Sequence, residues 1–526
     1  MRKKPFFRIL AWLLALTIPA LTCAEKEGET LRDPHRVFYE IFVSSFSDSD
    51  GDGTGDLRGI LRRMDYLNDG DPASEASLGV GGLWLTPIFE SPSYHKYDVA
   101  DYGQIDPAFG TEADLKELLD VCHSRDVTVI LDLALNHTST QHPWYQHFLE
   151  AHLSGDMASD WYDWYVWLPA GEKAPAGRRF TQVQEAGIQV EANFSDSMPE
   201  LNLDHPPVRQ AALEIARYWL ELGADGFRFD AAKYLYLGEH EKNIAFWTWY
   251  IGELKRIRPD VYTVAEVWDG EGITNRYASC VNCFHFSASQ AEGVYAEAAK
   301  AGDVNRLTAA TERYLETLQA INPDAMDIPF LSNHDMDRSA GYLTMASGRA
   351  QMAATLYLWT PGSPFLYYGE EIGLRGSRGG ANTDANRRLA MLWGDGDPVQ
   401  DPPGSTYDKQ SPYSVQDLEA MGTSLLRYYR RALRIRRQYP AIARGSYTAL
   451  KIEGSKAGGF ICALDGEETL VLHNTTDREA KIDLLEVTGR SWETLREVLG
   501  VIPDESGASL EGDLLTLGPQ TSVVIE

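Results

Sequence analysis

The sequence is short of positive charge, and this shortage limits the partners it can bind. Its 526 residues include 48 lysines and arginines against 77 aspartates and glutamates, so the formal net charge is −29. A surface this acidic repels a phosphate backbone, and we expect no nucleic-acid partner. Internal repeats and low-complexity tracts are also missing, while 44% of the residues are hydrophobic. This hydrophobic content excludes a disordered chain. The length excludes a small binding module, because it suits one large domain with appendages, or two or three domains.

Long apolar runs are missing after the first 24 residues, so no later segment is expected to cross a membrane. The N-terminus differs, since four basic residues precede the apolar run Ile9–Leu21, a pattern typical of an export signal. Cleavage after Ala24 is one outcome. Attachment of a lipid to Cys23 is the other, and it is the weaker one because Ala20, rather than a large aliphatic residue, lies three positions earlier. We predict an exported protein that is secreted, periplasmic or lipid-anchored at the cell surface.

Cysteine is also scarce, with five in the whole chain. Cys280 and Cys283 form a CxxC pair, which fits a disulfide, half of a metal site or coincidence. A second CxxC is missing, and an exported chain seldom carries a cytosolic redox motif. We therefore favour a structural role for this pair.

Short apolar or β-branched runs alternate with helix-period segments from about residue 37 onward. This alternation is typical of parallel strands that are buried on both faces. Eight runs are predicted as strands: Val37–Val43, Gly82–Pro87, Val127–Leu135, Asp225–Asp230, Val261–Glu266, Val281–Phe286, Met326–Ser332 and Pro364–Tyr368. The helical segments between them include Glu112–Ser124, Pro207–Leu222, Ala245–Arg258 and Asp303–Ala320. The pattern predicts an α/β fold with a (β/α)8 TIM barrel rather than a doubly wound sheet.

Two stretches do not fit the barrel. The long connection after the third strand carries aromatics, glycine and proline without helical period, which predicts a subdomain over the barrel mouth. A basic helix, Asp417–Gln438, is followed by short alternating strands that predict a C-terminal antiparallel β-sandwich. The predicted divisions are the export signal 1–24, the barrel (domain A) 32–136 and 201–438, the inserted subdomain (domain B) 137–200, and the sandwich (domain C) 439–526.

Charged side chains stand where four of the predicted strands end, and in a parallel barrel these ends meet at one mouth. Taken singly, each could be a helix cap or a solvated turn residue, but their joint placement favours a site. Arg228 lies two residues before Asp230 on the same strand face, so its charge would keep that carboxylate ionised as a nucleophile. Glu266 follows an apolar run that would raise its pKa and suit it to act as an acid. Asp335, beside His334, would grip sugar hydroxyls while a glycosidic bond is cleaved.

Seven strings of the sequence resemble the α-amylase family of glycoside hydrolases. Four look like its signature regions, in order: Leu131–His137, Gly226–Lys233, Val264–Trp268 and Phe330–Asp335. Three more agree: Gly82–Ile88, Met198–Asn202 and Gly362–Gly373. The resemblance covers nearly all of the chain from Val37 to Glu526. It implies Asp230 as nucleophile, Glu266 as general acid and base, and Asp335 as transition-state stabiliser, with the anomeric configuration retained.

The resemblance also implies which residues bind the sugar. Arg228, His137 and His334 would hold it in the −1 subsite, and Tyr97 would stack on it. Lys233 is assigned to substrate binding with them. Asp98 is paired with an arginine in exo-acting members of the family, and the candidates here are Arg387 and Arg388, between which the sequence does not decide.

One acidic loop follows the first predicted strand and carries oxygen donors at alternate positions: Asp48, Asp50, Asp52, Thr54 and Asp56. This pattern suits a hard cation with many oxygen ligands and predicts a structural Ca²⁺. The alternative is a flexible acidic turn, but its four carboxylates would repel one another without a cation. The loop is not an EF-hand, since Gly59 stands where that motif has glutamate. The same loop occurs in oligo-1,6-glucosidase-like branches of the family.

The sequence also departs from family patterns. Tyr234 replaces the histidine that ordinary α-amylases use in a calcium site with the residue corresponding to Asn136, so a second calcium there stays open. Glu200 replaces an aspartate in a string that resembles the intermediary group between oligo-1,6-glucosidases and neopullulanases. Ala231 resembles members that cut α-1,4 bonds.

The resulting expectation is a monomeric, retaining α-glycosidase that acts on α-1,4-glucans or maltooligosaccharides, with some transglycosylation. An exo-acting α-glucosidase or a glucosyl-transferring relative is the main alternative. A non-catalytic glucan-binding protein is a weaker one, because such relatives usually lose at least one of the three carboxylates.

Overall fold

The computed structural model describes residues 33–380, 382–408, 413–502 and 506–526. The predicted export signal and Cys23 lie outside the described residues. Within the described part, no helix combines the length and the apolar character needed to span a bilayer.

The secondary structure follows the predicted alternation of strands and helices. The strands are β1 Phe38–Ile41, β2 Gly82–Leu85, β3 Phe89–Glu90, β4 Asp101–Ile105, β5 Thr128–Leu133, β6 Trp167–Pro169, β7 Phe180–Val183, β8 Ile188–Glu191, β9 Gly226–Phe229, β10 Tyr262–Ala265, β11 Asn282–Cys283, β12 Phe365–Tyr367, β13 Thr448–Leu450, β14 Gly458–Leu464, β15 Glu467–Asn474, β16 Ala480–Asp483, β17 Leu495–Gly500, β18 Ala508–Glu511, β19 Leu514–Leu517 and β20 Thr521–Ile525. The α-helices are α1 Leu57–Arg62, α2 Met64–Leu67, α3 Glu112–Ser124, α4 Pro143–Ser154, α5 Pro206–Leu222, α6 His240–Ile257, α7 Glu271–Tyr277, α8 Val294–Ala301, α9 Val304–Ile321, α10 Arg349–Leu358, α11 Val415–Ala420, α12 Leu425–Gln438, α13 Pro440–Arg444 and α14 Leu484–Thr488.

Seven parallel strands form one curled sheet, in the order β11-β10-β9-β5-β2-β1-β12. The seventh predicted strand, Met326–Ser332, is reduced to two isolated bridges, Ile328 with Phe284 and Phe330 with Phe365. These bridges join the two ends of the sheet. Pro329 lies between them, and because proline has no N–H it interrupts a regular ladder at this point. The prediction of a (β/α)8 barrel is confirmed.

The barrel strands are apolar on both faces because the interior and the helical ring both have to be filled. Phe38, Trp84, Ile130 and Val264 point into the barrel and form one interior cluster. Their strand neighbours pack outward in the main core beneath the helices. The strands are therefore rigidly held, which fixes the polar residues at their ends.

Domain B contains α4 and the antiparallel sheet β6-β8-β7. The helix α4 was not expected, because the aromatic residues of this stretch hide its period. Pro143 begins the helix, and Gly155, at φ 68°, ends it in the left-handed conformation. An antiparallel bridge between His137 and Glu200 ties the start of domain B to its end.

Domain C has a five-stranded sheet, β13-β14-β15-β20-β17, and a three-stranded sheet, β16-β19-β18. Leu470 and Leu472 of the first sheet share one buried cluster with Leu515 and Leu517 of the second. The predicted antiparallel C-terminal domain is therefore confirmed as two packed sheets.

The predicted basic helix is two helices rather than one. A break after α11 contains Gly422, and Ser424 then caps α12 by accepting a hydrogen bond from the Arg427 backbone N–H. A glycine and a serine cap outweigh the continuous amphipathic pattern at this point.

Candidate active site

Arg228 lies at the centre of the barrel mouth and is fully buried. Its Nη1 donates to Asp132 Oδ1 at 2.9 Å and to Asp230 Oδ1 at 2.6 Å, and its Nη2 is 3.2 Å from Glu266 Oε2. The parallel register explains this convergence, since Arg228 pairs with Asp132 of β5 on one side and with Val264 of β10 on the other. One guanidinium thus joins carboxylates from three strands: Asp132 lies within β5, and Asp230 and Glu266 come directly after β9 and β10.

Asp230 and Glu266 are linked by the peptide that follows Asp230. Ala231 has a φ of 49°, and its N–H donates to Glu266 Oε2 at 2.8 Å. Burial raises the pKa of Asp230 to about 6, with the Arg228 charge opposing this rise. Burial likewise raises the pKa of Glu266 to about 7, again against Arg228. In both acids burial favours the protonated form, and the Arg228 charge favours the ionised form.

Asp335 is held by two cations. Arg388 Nη2 donates to its Oδ1 at 2.6 Å, and His334 Nε2 lies 3.1 Å from its Oδ2. Burial alone would raise the pKa of Asp335, but His334 and Arg388 lower it well below the usual range. Burial opposes the charge on His334, yet Asp335 and Glu40 together raise its pKa to about 10. Asp335 is therefore an anion and His334 a cation near neutral pH.

Tyr97 is fixed by hydrogen bonds at its hydroxyl group. The hydroxyl donates to Asp132 Oδ2 at 2.9 Å and is 2.8 Å from His334 Nε2. Its ring is stacked with the His334 ring at a centroid distance of 5.5 Å and an interplanar angle of 11°. Trp84 Nε1 also donates to Asp132 Oδ2, at 3.1 Å. The orientation of the tyrosine ring is therefore set before any sugar binds.

His137 and Lys233 lie at other parts of the mouth. His137 is 1% exposed, and its Nε2 is a buried polar atom with no hydrogen-bond partner among the described residues. Burial lowers the pKa of His137 to about 4, so the ring is neutral. The Phe194 ring, 45% exposed, is 5.3 Å from it. Lys233 Nζ donates to the Trp268 carbonyl at 2.6 Å and to Asp269 at 2.9 Å.

The expected pairing of Asp98 with Arg387 or Arg388 is not formed. Asp98 Oδ1 instead accepts hydrogen bonds from the hydroxyl groups of Ser91, at 2.7 Å, and of Ser93. Arg388 is committed to Asp335, and Arg387 Nε donates to Asp337 at 2.8 Å. Both hydroxyls bind the same buried oxygen, and His95 Nδ1 lies 4.0 Å from it, so Asp98 is held without a hydrogen bond from either arginine.

Three residues that hold the site together were missed or misassigned: sequence reasoning gave no role to Asp132 and Glu40, and it named Arg388 only as a candidate partner of Asp98. Glu40 Oε1 is 2.6 Å from His334 Nδ1 and is almost fully buried. A carboxylate inside an otherwise apolar strand is an available signal for both acids, since an unpaired buried charge is costly. The Arg388 contact with Asp335 joins positions 53 residues apart, and no local pattern indicates it.

The acidic loop is compact and leads directly into α1. Asp48 accepts hydrogen bonds from the backbone N–H groups of Asp50, Gly51 and Gly53. Asp56 caps α1 through the Gly59 N–H at 2.7 Å. Carboxylate oxygens of Asp48, Asp50 and Asp56 lie within 4.8 Å of one another. This all-oxygen donor set fits a hard cation such as Ca²⁺.

Asp52 lies outside that group of three. Its Oδ1 accepts a hydrogen bond from the Thr54 N–H at 2.7 Å. The side chain is exposed, so its role as a ligand remains a prediction, as does that of the Thr54 carbonyl.

Cys280 and Cys283 are free thiols in the described structure. Cys280 is partly buried, and Cys283 is buried beside the Val281 carbonyl, 3.7 Å away. The pair forms no disulfide here.

A family model described as the catalytic domain of α-amylase matches residues 40–445. The chain belongs to the α-amylase family of glycoside hydrolases. It is 33% identical over 510 residues to α-amylase 3 of Dictyoglomus thermophilum, covering 93% of each chain.

Solved structures of this family superpose closely on the chain. Amy13B of Eubacterium rectale has a TM-score of 0.85 at 30% identity, covering 94% of this chain and 95% of that one. The α-amylase from H. orenii has a TM-score of 0.80 at 35% identity, covering 94% and 99%. Membership of the intermediary group stays a prediction.

Proposed function

We propose that this family member hydrolyses α-1,4-glucosidic bonds in starch-type glucans and maltooligosaccharides, with retention of configuration through a covalent bond between the sugar and Asp230. The observation that carries the proposal is the pair formed by Asp230 and Glu266. Both lie against Arg228, the Ala231 N–H holds Glu266 beside Asp230, and burial raises the pKa of each acid, to about 6 for Asp230 and to about 7 for Glu266. Two carboxyl groups in different protonation states are what a retaining mechanism needs.

In the first step, Glu266 donates its proton to the glycosidic oxygen as the bond from that oxygen to the anomeric carbon breaks. An oxygen of ionised Asp230 forms a new bond to the same carbon. In the second step, water attacks that carbon, Glu266 accepts a proton from the water, and Asp230 leaves. Both groups return to their starting states.

The surrounding side chains act on charge and position. Asp335 is an anion, and its negative charge would stabilise the positive charge that develops on the sugar ring. Tyr97 offers a fixed aromatic face for the apolar C–H groups of the sugar. The Nε2 of His137 is buried without a hydrogen-bond partner among the described residues, and a local movement would bring it to a sugar hydroxyl. Arg228 holds Asp230 in place and offsets its charge until the bond forms.

The stereochemistry of the first product tests this mechanism. Maltopentaose should give the α-anomer before mutarotation, as followed by proton NMR within minutes of mixing. An initial β-anomer would show inversion and remove Asp230 as a covalent nucleophile. Absence of any hydrolysis by folded protein would favour a glucan-binding protein instead.

The surroundings of Asp98 bear on whether the enzyme cleaves a glucan inside the chain (endo action) or from its end (exo action). Exo-acting members pair an arginine with the residue that corresponds to Asp98, but here two serine hydroxyls bind Asp98. This difference favours a site that accepts longer chains on both sides of the cleaved bond. On soluble starch, iodine staining should then fall early relative to the release of reducing ends. A slow loss of staining with glucose as the sole product would favour an exo-acting α-glucosidase.

The proposal includes a structural Ca²⁺ in the acidic loop, held by Asp48, Asp50 and Asp56, with no part in the chemical steps. It also includes export directed by residues 1–24, with cleavage after Ala24 or a lipid on Cys23. Mass spectrometry of the mature N-terminus distinguishes these two outcomes. Sedimentation of the purified protein tests the expected monomer.

A further inference from the structure

One face of α12 carries four arginines: Arg427, Arg430, Arg431 and Arg434. Their spacing of three, four and seven residues places them on the same side of the helix. The catalytic site uses none of them. Like charges at this spacing destabilise a helix unless something offsets them, and the chain as a whole is strongly acidic. The positive charge of these four arginines therefore has to be offset by carboxylates of the chain or by a bound anion.

A cavity of about 460 Å³ lies along this face. All four arginines line it, and the opposite wall is the end of β17 with the residues that follow, Val498 to Ile502. Ser424 and Gln351 add polar groups to the lining. The volume lies within the range of small-molecule sites. The cavity thus sits where the barrel meets domain C.

The positive charge in the cavity is only partly neutralised by the described residues. Arg430 is 6% exposed and donates to Glu419 at 2.8 Å, while Arg434 Nη1 is 3.7 Å from Glu75. The Nε atoms of Arg430 and Arg434 are buried without a hydrogen-bond partner. Glu75 is the one acidic residue among the described lining residues.

The two remaining arginines make hydrogen bonds to backbone carbonyls. Arg427 donates to the Met421 carbonyl at 2.7 Å, and Arg431 donates to the Val498 carbonyl of β17 at 2.9 Å. Carbonyl groups orient a guanidinium but do not cancel its charge. Among the described residues, the four cations therefore have two carboxylate partners, Glu419 and Glu75.

We propose that this cavity binds a phosphate-type oxyanion, either inorganic phosphate or the phosphate group of a sugar phosphate. Guanidinium groups match the geometry of phosphate oxygens and bind them through paired charge-assisted hydrogen bonds. The Ser424 hydroxyl and the Gln351 amide suit the hydroxyl groups of an attached sugar. A bound anion would also join α12 of the barrel to β17 of domain C.

Ligand-dependent melting of the whole protein tests the proposal, because a ligand that binds only the folded state stabilises it by mass action. Sodium phosphate and glucose 6-phosphate are titrated separately, each against sodium chloride of equal ionic strength. A saturable rise in Tm with either anion, larger than that with chloride, is expected. A stronger response to glucose 6-phosphate identifies a sugar phosphate, whereas equal responses identify the phosphate group alone.

Paired variants locate the effect. The double substitution Arg431→Gln with Arg434→Gln should abolish the anion-dependent rise. Arg256→Gln with Arg478→Gln changes the net charge equally at side chains that are 74% and 90% exposed elsewhere, and should keep it. Hydrolysis without phosphate should be the same in both proteins, since none of these arginines lies in the barrel mouth. Withdrawal of calcium by phosphate would affect both variants alike.

Equal responses of the two double variants, or a rise that chloride reproduces, would overturn the proposal. If the cavity variant does not fold, Arg434→Lys provides the second measurement. It keeps the charge but loses the planar donor group, and calorimetric titration with glucose 6-phosphate should show at least tenfold weaker binding. Unchanged affinity in that variant would also contradict the proposal.

Discussion

The barrel mouth and the acidic loop both concentrate carboxylates, but they stabilise them differently. In the mouth, Arg228 provides a cation within the chain for Asp132, Asp230 and Glu266. In the loop, the hydrogen bonds that Asp48 and Asp56 accept from described residues come from backbone N–H groups. A carboxylate cluster with its own guanidinium can hold separate protonation states for chemistry. For the loop cluster, we propose that a cation from solution offsets the charge instead.

The largest effect is expected at the nucleophile. Asp230→Asn removes the attacking charge at nearly constant shape, so kcat on starch should fall by about 10⁴-fold or more. The melting temperature should change little. Asp120→Asn, at an exposed position of α3, is the matched control and should retain full activity. Near-normal starch hydrolysis by folded Asp230→Asn would exclude this residue as the nucleophile.

The second effect concerns the acid and depends on the leaving group. Glu266→Gln should lower kcat on starch by about 10²- to 10⁴-fold, the usual contribution of general acid catalysis. Release of an acidic phenol from an aryl α-glucoside should be affected far less, because that group leaves without a proton. Equal losses on both substrates would show that Glu266 is not the acid.

The pH profile gives a third test with a defined sign. Glu266 acts as an acid in its protonated form, so activity should fall as pH rises through about 7. Asp230 acts ionised, so activity should also fall as pH decreases through about 6. The profile of kcat/KM on maltopentaose should therefore be bell-shaped. With the aryl substrate, Glu266→Gln should lose the alkaline limb and keep the acidic one; persistence of the alkaline limb would assign it to another group.

The smallest effect on turnover is expected in the acidic loop. A chelator should lower the Tm of the native protein by a few degrees, since an ion bound to the folded state stabilises it. Asp50→Ala should make the Tm insensitive to chelator, because Asp50 belongs to the group of three. Asp52→Ala tests the further predicted ligand, and a response kept in that variant would remove Asp52 from the ligand set. Turnover at low temperature should stay nearly constant throughout. Immediate loss of activity on chelation, without unfolding, would instead place the ion in the chemistry.

The sequence predicts those parts of the molecule that local patterns determine. Arg228 and Asp230 share a strand face because side chains alternate along a strand, and their placement beside Glu266 follows from parallel pairing. Contacts made across the fold lack such a signal. Arg388 donates a hydrogen bond to Asp335. Asp98 accepts hydrogen bonds from the hydroxyls of Ser91 and Ser93 in place of an arginine. Both contacts depend on loop geometry, which sequence periodicity does not predict.

Sequence patterns also gave wrong element boundaries where a hydrophobic pattern and a single-residue signal disagreed. Pro329 reduces the seventh strand to two bridges inside a strongly apolar run. The Ser424 cap divides the basic helix although its amphipathic pattern continues. In both places a single backbone requirement outweighs the hydrophobic pattern around it.

The backbone conformation of Ala231 affects how the relative position of Asp230 and Glu266 responds to structural changes elsewhere in the barrel. A left-handed backbone costs an alanine roughly 1 kcal/mol, and here it turns the N–H of the peptide unit after Asp230 toward Glu266. A single planar peptide group therefore spans the gap between nucleophile and acid. Small shifts in barrel diameter or in the attached domains would carry both carboxyl groups along together. The reacting geometry is in this sense a local property of two neighbouring strand ends, those of β9 and β10.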